Sequence, residues 1–170
     1  MEIELCNATI DDLDDCFAQE QACFLPSEAA SRERIELRLR EYPEGFVLLL
    51  IDDHVRGMIN SCATNKEDIS DESLKELIGH DPGGEFAVIF SFSVYPYLRG
   101  RGYGRMLHEH FVAECSKRGQ RAILLLCKKE LVAFYEKLGY KDCGLSASTH
   151  GGFQWHQMRF EITANLPVVL

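Results

Sequence analysis

No segment of this chain is long and apolar enough to cross a bilayer as a helix. The longest apolar runs, Phe46 to Ile51 and Ala122 to Cys127, are six residues each, against about 20 needed. The N-terminus, Met1-Glu2-Ile3-Glu4-Leu5, has no basic region and no long apolar stretch, so neither a secretory signal nor a membrane partner is predicted. Positive charge is scarce: 18 Lys and Arg face 27 Asp and Glu, a net charge of −9, which argues against nucleic acid as a partner. The same excess suits a cationic ligand, and it also suits plain solubility. The cysteines lack a pairing pattern. Seven are present, Cys6, Cys16, Cys23, Cys62, Cys115, Cys127 and Cys143, an odd number with no C-x-x-C. Neither a disulfide framework nor a zinc knuckle is signalled and no metal is expected. Several lie in apolar runs, as small buried hydrophobes do, and the reading is a cytoplasmic protein in a reducing compartment.

What is present is a globular composition. Hydrophobic residues make up 46% of 170, enough for one domain over residues 1–170 with a real core. Ile3 to Leu5 reads as a first strand. Thr9 with Asp12 resembles a capping pair ahead of a helix carrying Leu13, Phe17 and Phe24. Pro26 interrupts it, and a second helix is expected over Glu28 to Arg40. Phe46 to Ile51 and Val55 to Ala63 read as a hairpin around Asp52-Asp53-His54. Lys66 to Leu77 is spaced for a short surface helix, followed by a loop through Gly84. Phe86 to Val94 is nearly all apolar, as a strand covered on both faces is. A helix marked by Leu107, Phe111, Val112 and Cys115 follows. Next come a strand over Ala122 to Cys127, a helix over Leu131 to Leu138 ending at Gly139, and strands at Tyr140 to Cys143 and Phe153 to Ile162. There are no repeats. The alternation predicts an α/β (α+β) fold, a central mixed, mostly antiparallel sheet with helices on both faces.

One segment carries chemistry. Arg99-Gly100-Arg101-Gly102-Tyr103-Gly104 lies between the strand Phe86 to Val94 and a helix. Glycines let backbone N–H groups crowd around one point, and the first turn of a helix leaves its N–H groups unpaired, so the segment is a phosphate cradle. It is not a Walker loop, and Arg105 stands where the dinucleotide pattern needs its third glycine. About thirty residues on comes Ala133-Phe134-Tyr135-Glu136-Lys137-Leu138-Gly139-Tyr140. Taken alone, Tyr135 reads as a helix residue on an apolar face.

With both segments in this order, the chain resembles the GCN5-related N-acetyltransferases (GNAT), whose coenzyme A loop is [RQ]-x-x-G-x-[GA] and whose later segment is F-Y-x-x-x-G-[FY]. Cys127 to Gly139, Glu72-Ser73-Leu74, His80 and Gly83-Gly84 resemble the arylalkylamine (serotonin-type) branch. The resemblance covers Ile3 to Phe160. It implies a single-domain GNAT fold and acetyl-CoA as cosubstrate. Its pyrophosphate would lie on Gly100, Arg101, Gly102, Tyr103, Gly104 and Arg105, and its pantetheine arm along Phe92, Ser93 and Val94. A backbone amide of that strand would steady the oxyanion. Tyr135 would stand by the departing sulfur: a phenol of pKa about 10 can protonate a thiolate whose thiol has pKa about 8.5.

The general base is where the chain departs from the family. Val88 and Phe90 stand where the branch has histidines, and relatives that use a glutamate place it at the Val88 position. Glu85, at the start of the strand, is the candidate base, with His80 and Asp81 before it and Ser91 or Ser93 as relays; turnover without a base at alkaline pH is the alternative. The resemblance puts the acceptor pocket at the loop after the first helix, Phe24, Leu25 and Pro26, with Phe153 and Trp155 on the last hairpin as another wall. His108 and His110, two apart on a helix, read as structural or exposed. His150 and His156 flank Gly151-Gly152 without metal-ligand spacing. The expected activity is acetylation of a small primary amine by direct attack in a ternary complex, with a non-catalytic acyl-CoA-binding module and a protein N-acetyltransferase as alternatives.

Overall fold

The computed structural model describes residues 1–162; the last eight residues of the domain expected over 1–170 lie outside the described ones. In chain order the elements are β1 (Ile3–Asn7), α1 (Leu13–Cys23), α2 (Arg32–Glu41), β2 (Phe46–Ile51), β3 (His54–Thr64), β4 (Phe86–Val94), α3 (Tyr103–Lys117), β5 (Ala122–Cys127), α4 (Val132–Leu138), β6 (Lys141–Leu145) and β7 (His156–Glu161). Local chemistry sets many boundaries. The Thr9 hydroxyl accepts from the Asp11 N–H while Asp12 Oδ2 accepts from the Thr9 N–H at 2.8 Å, and this reciprocal cap starts the helical segment. Asp52 and Asp53 sit at φ 49° and 65°, the conformation a two-residue hairpin turn requires.

The seven strands form one sheet in the order β1-β2-β3-β4-β5-β7-β6. Only β4 and β5 run parallel. Helices α1 and α2 cover one face through Leu13, Cys16, Ile35 and Leu39 on Phe46, Leu48 and Met58. Helix α3 covers the other through Leu107, Phe111 and Cys115 on Val47, Leu49, Ile59 and Ile89. Leu107 and Phe111 are fully buried, each contributing about 1.5–3 kcal/mol relative to exposure.

Two departures from the sequence expectation are local. The helix expected over Lys66 to Leu77 is a single 3-10 turn, Glu72–Glu76, ended by Leu77 at φ 62°. Asp68 and Asp71 instead bond the N–H groups of Ser70 and Ser73, which competes with helix formation. The last strand begins at His156, not Phe153, because Gly151 and Gly152 turn through positive φ just before it.

One feature of the sheet positions the site. β4 pairs with β5 only over Phe86 to Ile89, opposite Ala122 to Leu125. Beyond that, residues 91–94 stay with β3 while Leu126 and Cys127 stay with β7, so the two strands part. A bulge at the same place skips Phe90, leaving Ser91 opposite Asn60 and Ile89 opposite Ser61. An extra residue resets the alternation of faces. Phe90 lies against Arg38 on the α2 side, Ser91 beside Glu20 of α1, and Phe92 against His108 of α3 and Phe134 of α4. Among the described residues no helix is long and apolar enough to cross a membrane.

Candidate functional site

The glycine turn opens directly above the parting strands. Gly102 caps α3 at φ 88° and ψ 0° with no side-chain cap, and Gly100 is at φ 77°. A Cβ at either would meet nothing within 4 Å, so both face open space. The first backbone bond of the helix runs from the Met106 N–H to the Gly102 carbonyl at 3.1 Å; the N–H groups of residues 100–105 have no acceptor among the described residues. This is a cluster of free donors at the positive end of a 15-residue helix, suited to the pyrophosphate of a coenzyme. Arg105 Nη2 donates to the Lys137 carbonyl at 3.3 Å, tying α3 to the end of α4, and Arg101 is exposed.

Below the cradle lie Phe92, Ser93 and Val94. The Ser93 carbonyl and hydroxyl both accept from Gln19 Nε2 at 3.1 Å, and the Val94 carbonyl accepts from Arg99 Nε at 3.1 Å. The Ser93 and Val94 carbonyls are thus engaged within the fold. Tyr135 stands across the gap, ringed by Phe134 at 5.1 Å, Tyr140 at 5.4 Å and Phe92 at 6.2 Å between centroids. Its hydroxyl makes no hydrogen bond among the described residues, and burial pushes its pKa up, so it holds its proton at neutral pH. Beneath it, His108 Nε2 and the Tyr140 hydroxyl are 2.8 Å apart. Burial lowers the His108 pKa to about 4, so this ring is a neutral, buried support. His110, two residues on, is half-buried.

The loop carrying Phe24, Leu25 and Pro26 meets the loop before β7. His150 Nε2 faces the Glu28 carbonyl at 3.0 Å, and its Nδ1 faces Glu72 Oε1 at 2.7 Å. Trp155 Nε1 donates to the His150 carbonyl at 2.9 Å. Lys128, just past β5, pairs with Glu28 and lies 3.8 Å over the Phe153 ring. Phe24 is half-buried, and Leu25 and Pro26 are exposed. The two loops thus form one wall, bridged by Lys128, a residue the sequence did not single out.

Glu85 is not brought to this place. It precedes β4, is exposed, and its N–H and carbonyl are held by Asn65 and Arg121. Seven residues of strand separate it from Phe92, about 23 Å at 3.3 Å each. His80 and Asp81 lie at that same distant end, His80 Nδ1 accepting from the Ala63 N–H and Asp81 bonding the Gly83 N–H. The polar groups gathered behind the parted strand are others: Glu20 and Arg38, 2% and 1% exposed. The signal was in the spacing, since Glu20 continues the inward series Leu13, Cys16 and Arg38 sits between Ile35 and Leu39.

Comparison with known proteins bears on this geometry. The acetyltransferase (GNAT) family matches residues 8–140. Serotonin N-acetyltransferase of Mesocricetus auratus is 26% identical over 163 residues, covering 84% of this chain and 77% of that one. The loading GNATL domain of CurA from Lyngbya majuscula superposes with a TM-score of 0.86 at 18% identity, covering 97% of this chain and all of that one. Arabidopsis thaliana Naa50, solved in complex with the bisubstrate analogue CoA-Ac-MVNAL, gives a TM-score of 0.72 at 17% identity, over 94% and 98% of the two chains.

Proposed function

The chain belongs to the acetyltransferase (GNAT) family and draws its acetyl group from acetyl-CoA, and we propose that the acceptor is a small primary amine of the arylalkylamine or polyamine type. The observation that carries this reading is the junction of three parts: the free N–H groups of residues 100–105, the parted strands with Tyr135 between them, and an aromatic wall containing Phe153 and Trp155. Two aromatic rings set at 85° to one another suit an aryl or alkyl amine. The bridge from Glu28 to Lys128 and His150 favours a short acceptor over an extended peptide.

In this reading residues 100–105 hold the pyrophosphate and residues 92–94 align the acyl arm. The amine attacks the thioester carbonyl directly, forming the N–C bond as the C–S bond breaks. A cysteinyl relay is disfavoured, because burial raises the Cys127 thiol to about 12 and that of Cys23 as well, which leaves few thiolates at neutral pH. Tyr135 donates to the departing sulfur. Its raised pKa opposes full proton transfer in water, but a thiolate leaving into the same apolar surroundings is destabilised too, so the donor and acceptor shift together.

Coenzyme A release, followed from pH 7 to 9 with 2-phenylethylamine, tryptamine, spermidine and a pentapeptide with a free N-terminus, tests the proposal. Release with one or more of the small amines is expected. Release with the pentapeptide alone overturns the small-amine reading in favour of protein acetylation, and tight acetyl-CoA binding without amine-dependent release overturns both in favour of a binding module.

A further inference from the structure

The proposed acetylation needs a proton acceptor, and neither Val88, Phe90 nor Glu85 supplies one at the site. We propose that Glu20 is that acceptor, reached from the amine through the Ser91 hydroxyl. This rests on the reading of an amine substrate. Glu20 lies in the last turns of α1, against the half of β4 that has left β5. Its Oε2 accepts the Ala30 N–H at 2.8 Å. Its Oε1 is wholly enclosed and has no partner within hydrogen-bonding distance among the described residues. The Ser91 hydroxyl stands beside the carboxylate and favours its charged form. Ser91 is the first residue past the bulge, between Phe90 and Phe92, where the backbone of β4 becomes free of β5.

The charges around Glu20 suit a base better than a structural ion pair. Arg38 faces it from α2, but its Nη1 and Nη2 donate to Asn60 Oδ1 at 3.0 Å and the Lys75 carbonyl at 3.1 Å, and it lies 4.3 Å over Phe90. It attracts the carboxylate without pairing with it. Cys16 and Cys23 are the titratable neighbours on α1 itself, both with thiols raised by burial, and Ser91 with Ser93 face α1 from β4. A carboxylate paired to arginine is held ionised and binds protons poorly, and one buried with no cation stays neutral. Glu20 lies between these limits, its pKa raised by burial and restrained by Ser91, the Ala30 N–H and Arg38. A glutamine would satisfy the Ala30 N–H equally well without burying an ionisable group.

The ammonium of the incoming amine first gives one proton to solvent; as the N–C bond forms, the next passes to Ser91 Oγ and the Ser91 proton to Glu20. The sulfur departs with a proton from Tyr135, and solvent carries the Glu20 proton back to Tyr135 after release.

The test uses the full chain with acetyl-CoA and 2-phenylethylamine. The pH profile of kcat/KM is measured for the wild type, Glu20→Gln, Ser91→Ala and Ser91→Thr, alongside acetyl-CoA affinity, melting temperature and the 13C carboxyl titration of the peak that Glu20→Gln removes. The expected wild-type profile has an acid limb above the ordinary glutamate value of about 4.3. Glu20→Gln should abolish that limb and lower kcat by about 100-fold or more, with acetyl-CoA affinity and folding kept. Ser91→Ala should lower kcat likewise, and Ser91→Thr should restore it. An unchanged rate, or a reduced rate with the acid limb intact, overturns the proposal. Should 2-phenylethylamine fail to turn over, that failure belongs to the acceptor reading, and the carboxyl titration decides for Glu20. A raised midpoint that moves in Ser91→Ala supports the relay; an ordinary midpoint or no response overturns it.

Discussion

The acid role proposed for Tyr135 rests on its surroundings. Its hydroxyl is the unengaged polar tip of a ring otherwise packed on Phe92, Phe134 and Tyr140. Tyr135→Phe should therefore keep acetyl-CoA binding, read by calorimetry, and lower kcat by about ten- to a hundredfold or more. Gly102 is the opposite case, important for what it lacks. At φ 88° with open space before it, Gly102→Ala should cost about 1–2 kcal/mol in a denaturant melt for the left-handed strain and weaken acetyl-CoA binding by crowding the N–H groups. Glu20 carries a pH signature in stability as well as rate. Its folded pKa is raised, so the folded state binds its proton more readily than the unfolded state does. That favourable difference is present in acid and lost as pH rises through the raised value. Glu20→Gln should melt higher than the wild type at pH 8, and the gap should close toward pH 4.

At the scale of elements, the pairing between α3 and the start of β6 depends on a neutral histidine. His108 on α3 meets Tyr140, just past α4, with its pKa lowered from 6.5 to about 4 by burial. The unfolded state takes up this proton first, so stability is full above pH 6.5 and falls as pH drops toward 4. At about 1.4 kcal/mol per unit the loss is roughly 3 kcal/mol. Denaturant melts across that range check it, and His108→Phe with Tyr140→Phe, which removes both polar partners, should flatten the dependence. The wall of the acceptor side depends on another pair. Lys128 and Glu28 have side chains 24% and 12% exposed, so Lys128→Met leaves a carboxylate half-buried and alone. It should raise the KM for the amine several-fold with acetyl-CoA affinity kept, and Lys128→Met with Glu28→Gln should recover part of the loss, as steady-state kinetics on both substrates would show.

For the whole molecule, periodicity and turn chemistry made most of the fold legible. Thr9 with Asp12, the hairpin at Asp52-Asp53 and the apolar run of β4 each act within a few residues, and each stands where its local physics puts it. The stretch from Lys66 to Leu77 departs from its helical spacing because side-chain bonds from Asp68 and Asp71 outcompete a helix too short to resist them. The cradle was legible for the same local reason, since Gly100 and Gly102 and the helix after them are contiguous in sequence. Glu85 looked like a base because it begins the strand that feeds the cradle, yet a strand is rigid and extended, and its two ends are far apart. By itself, then, the sequence determined the element order and the glycine turn ahead of α3, and it singled out Tyr135 as a candidate. Only the tertiary structure decided where β4 leaves β5, that the bulge at Phe90 turns Ser91 toward α1, and that Glu20, some seventy residues earlier in the chain, stands behind it. Strand divergence and the burial of a charge depend on packing between distant segments, and no local pattern encodes either.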